Sequence, residues 1–145
     1  LLISSDGEKY SPEGYEDNLA VVSKYIDNVI LHNNQSPYTI VLIVPNKDAL
    51  RAAVPGDKEA QLRLIQADVD SYRKGGAHEG MFPEKWLPAA IVVCEEPWNE
   101  ANGLVNSTAK VVRGKVEAHF AKRIEYAYTS EGKQLNNPQN LAALD

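Results

Sequence analysis

The run Thr39-Ile40-Val41-Leu42-Ile43-Val44 is apolar at every position after the threonine and rich in β-branched side chains. A strand with one face in solvent alternates apolar and polar residues, and this run does not alternate. We therefore predict a central strand that is covered on both faces. Pro45-Asn46 ends the run, and Asn46 is a suitable cap for a short helix through about Ala53.

On the N-terminal side of this strand, residues 25–32 form a second β-rich run, and a polar link joins the two runs. This pattern predicts an antiparallel hairpin. Residues 1–5 predict a short strand and Asp6-Gly7-Glu8-Lys9 a turn, which together give an N-terminal hairpin. Ser11-Pro12 is typical of a helix cap followed by proline, with Tyr15, Leu19 and Val22 on the apolar face of the helix.

On the C-terminal side, residues 57–74 predict a helix capped by Asp57, with a buried stripe of Leu62, Ile65, Val69 and Tyr72. Residues 77–88 are expected to be irregular, anchored by Met81, Phe82, Trp86 and Leu87. Residues 89–94 form a third β-rich run, and residues 134–145 are expected to be a polar tail with a weakly apolar end.

A last helix is predicted to begin near Ser107 or Thr108, because apolar residues recur at every fourth position from Val112 to Ile124. The expected fold is therefore α+β. It has a small antiparallel or mixed sheet of about three main strands, an N-terminal hairpin, and helices that cover the sheet.

Composition excludes several classes of protein. The 145 residues suffice for one folded domain, and a net charge of −5 argues against nucleic acid as a partner. No apolar run is long enough to span a membrane. The single cysteine, Cys94, ends an apolar strand and is expected to be a buried, inert thiol. The three histidines are scattered, so no metal site is predicted.

Lys110 is the residue most suggestive of chemistry. The prediction places it in the first turn of the last helix, where a cation opposes the helix dipole. It is either a solvated lysine or a mobile ammonium that is delivered to an anionic ligand. Arg113 follows three residues later, and on a helix it would lie on nearly the same face. Gly7 is a second candidate, although any tight turn also uses glycine. Glu16 and Asp17 are expected to lie on a solvated face or to be charges near the helix cap.

Three segments together resemble the C-terminal domain of adenylate-forming enzymes. The segment Ile3 to Pro12, followed by Glu16, is similar to the glycine-turn motif that opens that domain. Residues 37–46 are similar to its central strand in long-chain acyl-CoA synthetases. Asn102 to Arg113 resembles the lysine motif of those synthetases. Ala109 stands where many members carry glycine, Asp6 where a second glycine is common, and Val112 where a second lysine is common.

The resemblance implies an AMP-forming ligase that converts a long-chain fatty acid and ATP into an acyl-adenylate and then into a CoA thioester. It implies that Lys110 is catalytic in adenylation, with Arg113 and Thr108 in support. It also implies that Gly7, Glu8 and Lys9 line the CoA side during the second half-reaction. ATP, CoA and Mg²⁺ would serve the intact enzyme, and none is expected to be bound to this fragment.

The chain starts inside an apolar run, and its only methionine is Met81. We therefore expect residues 1–145 to be a single C-terminal lid domain, inactive alone, whose partner is the N-terminal adenylation domain of the same enzyme. A cytoplasmic location is expected, with peripheral membrane association left open. The alternative is a standalone, non-enzymatic α+β module that binds a regulatory partner. The coding sequence before Leu1 would distinguish the two.

Overall fold

The computed structural model describes residues 1–145. In chain order the elements are β1 (Leu2–Ile3), β2 (Lys9–Tyr10), α1 (Glu13–Val22), β3 (Ile26–His32), β4 (Ile40–Pro45), α2 (Lys47–Ala53), α3 (Lys58–Val69), β5 (Ala90–Val93), α4 (Arg113–His119), α5 (Ala121–Ala127) and α6 (Pro138–Ala143). This arrangement confirms the α+β prediction.

The main sheet has the strand order β3-β4-β5. β3 and β4 pair antiparallel, which confirms the predicted hairpin, and β5 runs parallel to β4. A parallel neighbour requires a crossover connection, and the segment containing α2 and α3 supplies it. β1 and β2 form the separate N-terminal hairpin.

The central strand β4 is buried along its whole length, as predicted. Val41 and Ile43 point into a core formed with α1, α3 and the chain's C-terminus. Ile40, Leu42 and Val44 point into a second core, formed with α4 and α5. Because successive side chains of a strand point to opposite faces, a strand between two cores must be apolar throughout.

The predicted caps of α2 and α3 are confirmed. The Asn46 side chain accepts a hydrogen bond from the Ala49 N–H at 3.0 Å, and Asp57 accepts one from the Ala60 N–H at 3.0 Å. The apolar stripe of α3 is buried as expected. The α-helix ends at Val69, followed by a 3₁₀ turn over Asp70–Tyr72, so the predicted end at residue 74 was wrong.

Helix α1 differs from the prediction in its cap and in its buried face. Pro12 occupies the cap position, and the Ser11 hydroxyl donates instead to the Glu13 carboxylate at 2.5 Å. Val22 is 45% exposed, whereas Glu16, expected to be solvated, is only 7% exposed. The face of α1 that packs against the sheet therefore includes the Glu16 carboxylate and does not include Val22.

Residues 77–88 are irregular apart from a 3₁₀ turn over Glu84–Trp86. Leu87 is buried, and Phe82 and Trp86 pack against the first core, so these three anchors are confirmed. Met81 is 48% exposed, so its assignment as an anchor was wrong.

The last helix begins later than predicted. Residues 107–109 form a turn, and helix α4 starts only at Arg113, so Lys110 precedes the helix. The helical region is also interrupted at Phe120, which separates α4 from α5. Val116, Phe120 and Ile124 nevertheless fill the second core, as their spacing predicted.

The predicted polar tail is instead a docked helix. The α6 residue Asn140 is fully buried against β5, where its amide donates to the Ile91 carbonyl at 2.9 Å and its carbonyl accepts from the Val93 N–H at 2.9 Å. The Asn140 side chain thus provides hydrogen-bond partners for two backbone groups at the outer edge of β5, where there is no neighbouring strand. Sequence periodicity missed this because the key contact is polar.

Replacing Asn140 by alanine should lower the free energy of unfolding by about 2–3 kcal/mol, because it leaves the buried Ile91 carbonyl and Val93 N–H without partners. Urea denaturation measures the change. The matched control is Asn136→Ala, at an exposed position, with an expected change below about 0.5 kcal/mol. Equal effects of the two substitutions would contradict the role given to Asn140.

Candidate functional site

Lys110 closes a tight loop that projects from a short antiparallel contact between Val105 and Val111. The Asn106 N–H donates to the Lys110 carbonyl at 2.8 Å. The Asn106 side-chain oxygen accepts from the Lys110 N–H at 3.0 Å and from the Thr108 N–H at 3.0 Å. Such side-chain bonds compete with helical ones, which explains why the helix does not begin at residue 107 or 108.

Ala109 has a φ of +62°, in the left-handed region. An L-residue there costs about 1–2 kcal/mol, and glycine avoids most of the penalty. The position at which related motifs often carry glycine is therefore one where the backbone itself favours glycine.

The Lys110 side chain is exposed, and no carboxylate lies within salt-bridge distance of its ammonium. It lines a groove of about 600 Å³ between α1, β3 and the lysine loop. Glu13, Glu16, Asp17, Asp27 and Arg113 also line the groove. The ammonium thus makes no ion pair within this domain.

Arg113 is held in a polar clamp. Its guanidinium donates to both Glu16 carboxylate oxygens, at 2.6 and 2.8 Å, and to the Leu31 carbonyl at 2.9 Å. Glu16 also accepts from the Leu31 N–H at 2.5 Å. Burial alone would lower the pKa of Arg113, but the hydrogen bond and charge of Glu16, together with the charges of Glu13 and Glu117, outweigh it, so that the pKa is raised. The clamp ties α4 to α1 and β3.

Arg113 therefore does not lie beside Lys110 on one helix, as the sequence suggested. It fixes the first residue of α4, and hence the base of the loop that carries Lys110. The Thr108 hydroxyl donates to the Asn106 side chain at 2.8 Å, within the loop. Neither Asn106 nor Glu16 was assigned a role from the sequence, although both belong to the segments that carry the family resemblance. An asparagine just before a turn was the available signal for the first.

The Gly7 turn is a separate feature. Gly7 has a φ of +86°, and no atom lies within 4 Å of where a Cβ would be, so glycine is required by the backbone and not by crowding. Asp6 interacts with the Ser4 hydroxyl and accepts from the Glu8 N–H at 3.1 Å. These hydrogen bonds, that of Ser4 first, lower the pKa of Asp6. Asp6 thus closes the turn in place of a second glycine.

Lys9 was expected in the turn, but it lies in β2, opposite Ile3. Glu8 is at the turn and forms an ion pair with Lys85. A groove of about 330 Å³ adjoins the turn and contains Ser5, Asp6 and Lys85. No residue lines both this groove and that of Lys110, so the structure does not bring the two sets of predicted residues together.

Three other observations bear on the chemistry of the chain. Cys94 is buried as predicted, and burial raises its pKa to about 12. No group of three or more His, Cys, Asp or Glu side chains is placed to hold a metal ion. None of the helices is both long and apolar enough to cross a membrane.

Ala109→Gly should raise the free energy of unfolding by up to about 1 kcal/mol, since relief of the left-handed strain outweighs the greater entropy loss of glycine. Ala109→Val should lower it by about 1–2 kcal/mol, because a β-branched residue fits this region worst. Urea unfolding measures both changes. Ala101, also exposed but outside the left-handed region, is the control: Ala101→Val should have little effect. A stabilising Ala109→Val would contradict this reasoning.

The model of the AMP-binding enzyme C-terminal domain family matches residues 1–132. Among curated proteins, the carboxylic acid reductase of Segniliparus rugosus is 30% identical over 96 residues, which cover 66% of this chain and 8% of that protein. The probable acyl-activating enzyme 16, chloroplastic, of Arabidopsis thaliana is 23% identical, over 88% of this chain and 18% of that protein.

Solved structures show the same fold. The adenylation domain of a carboxylate reductase from Mycobacterium chelonae aligns with a TM-score of 0.70 and 23% identity, over 88% of this chain and 19% of that one. The A-PCP didomain of carboxylic acid reductase from Segniliparus rugosus, solved in complex with AMP, aligns with a TM-score of 0.68 and 19% identity, over 91% and 18%.

The fold and the matched segment define a C-terminal domain of an adenylate-forming enzyme. The chain belongs to the AMP-binding enzyme C-terminal domain family. It spans less than a fifth of the length of each of these relatives.

Proposed function

We propose that this chain is the mobile lid domain of an enzyme that activates a long-chain fatty acid with ATP and transfers the acyl group to CoA. In the first half-reaction a carboxylate oxygen attacks the α-phosphorus of ATP, and pyrophosphate leaves. In the second, the CoA sulfur attacks the acyl carbon, AMP leaves, and the thiol proton is lost. The domain closes on the N-terminal adenylation domain for the first step and rotates for the second.

Lys110 has the catalytic role in this proposal. Its ammonium would lie between the carboxylate and the phosphoryl group, where negative charge must be brought together before pyrophosphate leaves. Arg113 and Thr108 support it by fixing the loop. The Gly7 turn, with Glu8 and Lys9 beside it, would face the thiol after rotation. ATP and Mg²⁺ would be held mainly by the rest of the enzyme.

The observation that carries the proposal is the state of Lys110. An exposed ammonium without a carboxylate partner stands on a loop whose backbone is fixed by Asn106 and whose base is fixed by Arg113. A lysine that is merely solvated on the surface would not require a loop whose backbone is fixed in this way. The lysine loop and the Gly7 turn border separate grooves. This separation is consistent with a domain that rotates to present one surface to the active site in the first half-reaction and the other surface in the second.

A second candidate follows from the relatives. Carboxylic acid reductases are represented among both the curated relatives and the solved structures, and one of those structures contains AMP with a co-purified carboxylic acid. In an enzyme of that type the same adenylation would precede reduction of the acyl group. The lysine chemistry is identical in both candidates, and only the fate of the acyl-adenylate differs.

The test uses the full-length enzyme that contains this domain. Exchange of radiolabelled pyrophosphate into ATP is measured with palmitate, a short aliphatic acid and an aromatic acid. Product analysis with CoA, and separately with NADPH, then identifies the acceptor. Exchange that depends on palmitate, followed by palmitoyl-CoA formation, is the expected result.

The possible outcomes separate the candidates. Palmitate-dependent exchange, followed by reduction of the activated palmitate to its aldehyde with NADPH as the reductant, would favour the reductase. Exchange with only a short or aromatic acid would overturn the long-chain assignment and keep adenylation. No exchange with any carboxylic acid would favour the non-enzymatic alternative. The isolated residues 1–145 should show no exchange in any case, because they lack the ATP-binding domain proposed here.

A further inference from the structure

The segment Glu84–Trp86 packs directly against the hairpin that carries the Gly7 turn. Lys85 forms an ion pair with Glu8, the residue that follows Gly7. Trp86 stacks on Tyr10 of β2, with ring centroids 5.5 Å apart and an interplanar angle of 20°. Two consecutive residues of a distant segment thus contact both the turn and the strand that leaves it.

The hairpin needs this support. β1 and β2 pair through only two residue pairs, and a two-stranded hairpin of this length is not stable by itself. Tyr10 is 3% exposed, held between Trp86 on its ring face and the Thr39 hydroxyl at its own hydroxyl. The base of the hairpin is therefore fixed between the sheet and Glu84–Trp86.

The tip of the hairpin is open by contrast. Gly7 is exposed, with no atom near the position of a missing Cβ. Glu8 has a partner in Lys85, so its carboxylate is directed away from the tip and towards Glu84–Trp86. A hairpin with a fixed base and an exposed tip can hold the backbone of the Gly7 turn in one defined position, where a ligand can approach it.

We infer that Lys85 and Trp86 are positioning residues for the Gly7 turn, and that they act on the thiol half-reaction and not on adenylation. The inference rests on the proposed function. Lys85 acts through Glu8, and Trp86 through Tyr10. The segment lies apart from the lysine loop, because none of its residues lines the Lys110 groove.

The experiment compares the full-length enzyme with Lys85→Glu, with Lys85→Glu/Glu8→Lys, and with Lys74→Glu. Lys74 is exposed and unpaired, and it controls for the added negative charge. Hydrogen exchange of the peptide covering residues 4–10 reports on the turn directly. Pyrophosphate exchange and the release of palmitoyl-CoA from preformed palmitoyl-adenylate report on the two half-reactions.

Lys85→Glu should speed hydrogen exchange in the turn about fivefold, because two carboxylates then repel each other where an ion pair stood. It should slow thioester formation about tenfold and leave pyrophosphate exchange within about twofold. The reversed pair should restore the protection of the turn, since it rebuilds the opposite charges; thioester formation is not the readout for this variant, because Glu8 itself is placed on the CoA side. Lys74→Glu should alter neither.

Unchanged hydrogen exchange in Lys85→Glu would overturn the inference, whatever the enzyme catalyses. So would an equal loss of both half-reactions, which indicates general destabilisation. A wild-type enzyme without pyrophosphate exchange, or one that forms no thioester with CoA, would count against the proposed function instead. In those two cases the measurement on residues 4–10 alone decides whether Lys85 positions the turn.

Discussion

Lys110→Ala in the full-length enzyme should reduce carboxylate-dependent pyrophosphate exchange by about 10²–10³-fold, the usual cost of removing one preorganised group that stabilises developing charge. The ammonium has no partner within this domain, so its loss should leave the fold intact. Transfer of a preformed acyl-adenylate to CoA should fall by less than about threefold, because the proposed function gives the lysine loop no role in that step. The two half-reactions are measured separately.

The matched control is Lys115→Ala. Lys115 is exposed on α4, five residues after Lys110, and makes no salt bridge. This variant should keep both half-reactions within about twofold of wild type. Lys110→Arg adds a second comparison: it retains the charge but replaces a compact ammonium with a planar fork, so exchange should recover only in part. An equal loss of both half-reactions in Lys110→Ala would refute the role given to Lys110.

Arg113→Ala should lower the free energy of unfolding by about 3–5 kcal/mol, because it leaves the buried Glu16 carboxylate without its counter-charge. The Leu31 carbonyl loses a donor at the same time. Urea denaturation of the variant measures the loss. In the full-length enzyme the adenylation rate should fall as well, since Arg113 fixes the base of the lysine loop.

A double variant separates the buried charge from lost packing. Glu16→Gln/Arg113→Ala removes the charge but keeps a side-chain oxygen for the Leu31 N–H, so it should be more stable than Arg113→Ala alone by at least about 1 kcal/mol. Arg63→Ala, at an exposed arginine without an ion pair, should change stability by less than about 0.5 kcal/mol. A double variant less stable than Arg113→Ala would contradict the clamp.

Apolar patterning predicted the parts of the fold that depend on it. The all-apolar run of β4 indicated a central strand, and the apolar stripes of α3 and of α4 with α5 indicated helix faces buried in a core. Elements whose position depends on one polar contact were misplaced. The start of α4 shifted because Asn106 captures the backbone of the preceding turn, and α6 was missed because Asn140 anchors it.

For the candidate site, too, the sequence indicated which residues to consider but not the surroundings of each one. The resemblance of Asn102–Arg113 to a lysine motif identified Lys110 and Arg113, but it could not show that one is exposed and the other clamped. Glu16 is adjacent in sequence to the exposed Asp17, and nothing in their local sequence distinguishes a buried carboxylate from a solvated one. Its partner stands 97 residues further along the chain.

The sequence by itself determined the α+β class, the central strand, the caps of α2 and α3 and the family resemblance, because each follows from short-range patterns of side-chain type. Tertiary structure alone decided that β5 runs parallel to β4, that Glu16 and Arg113 meet, and that the lysine loop and the Gly7 turn border separate grooves. These features join residues distant in the chain, and their energies depend on burial and on partner geometry, which no local pattern encodes.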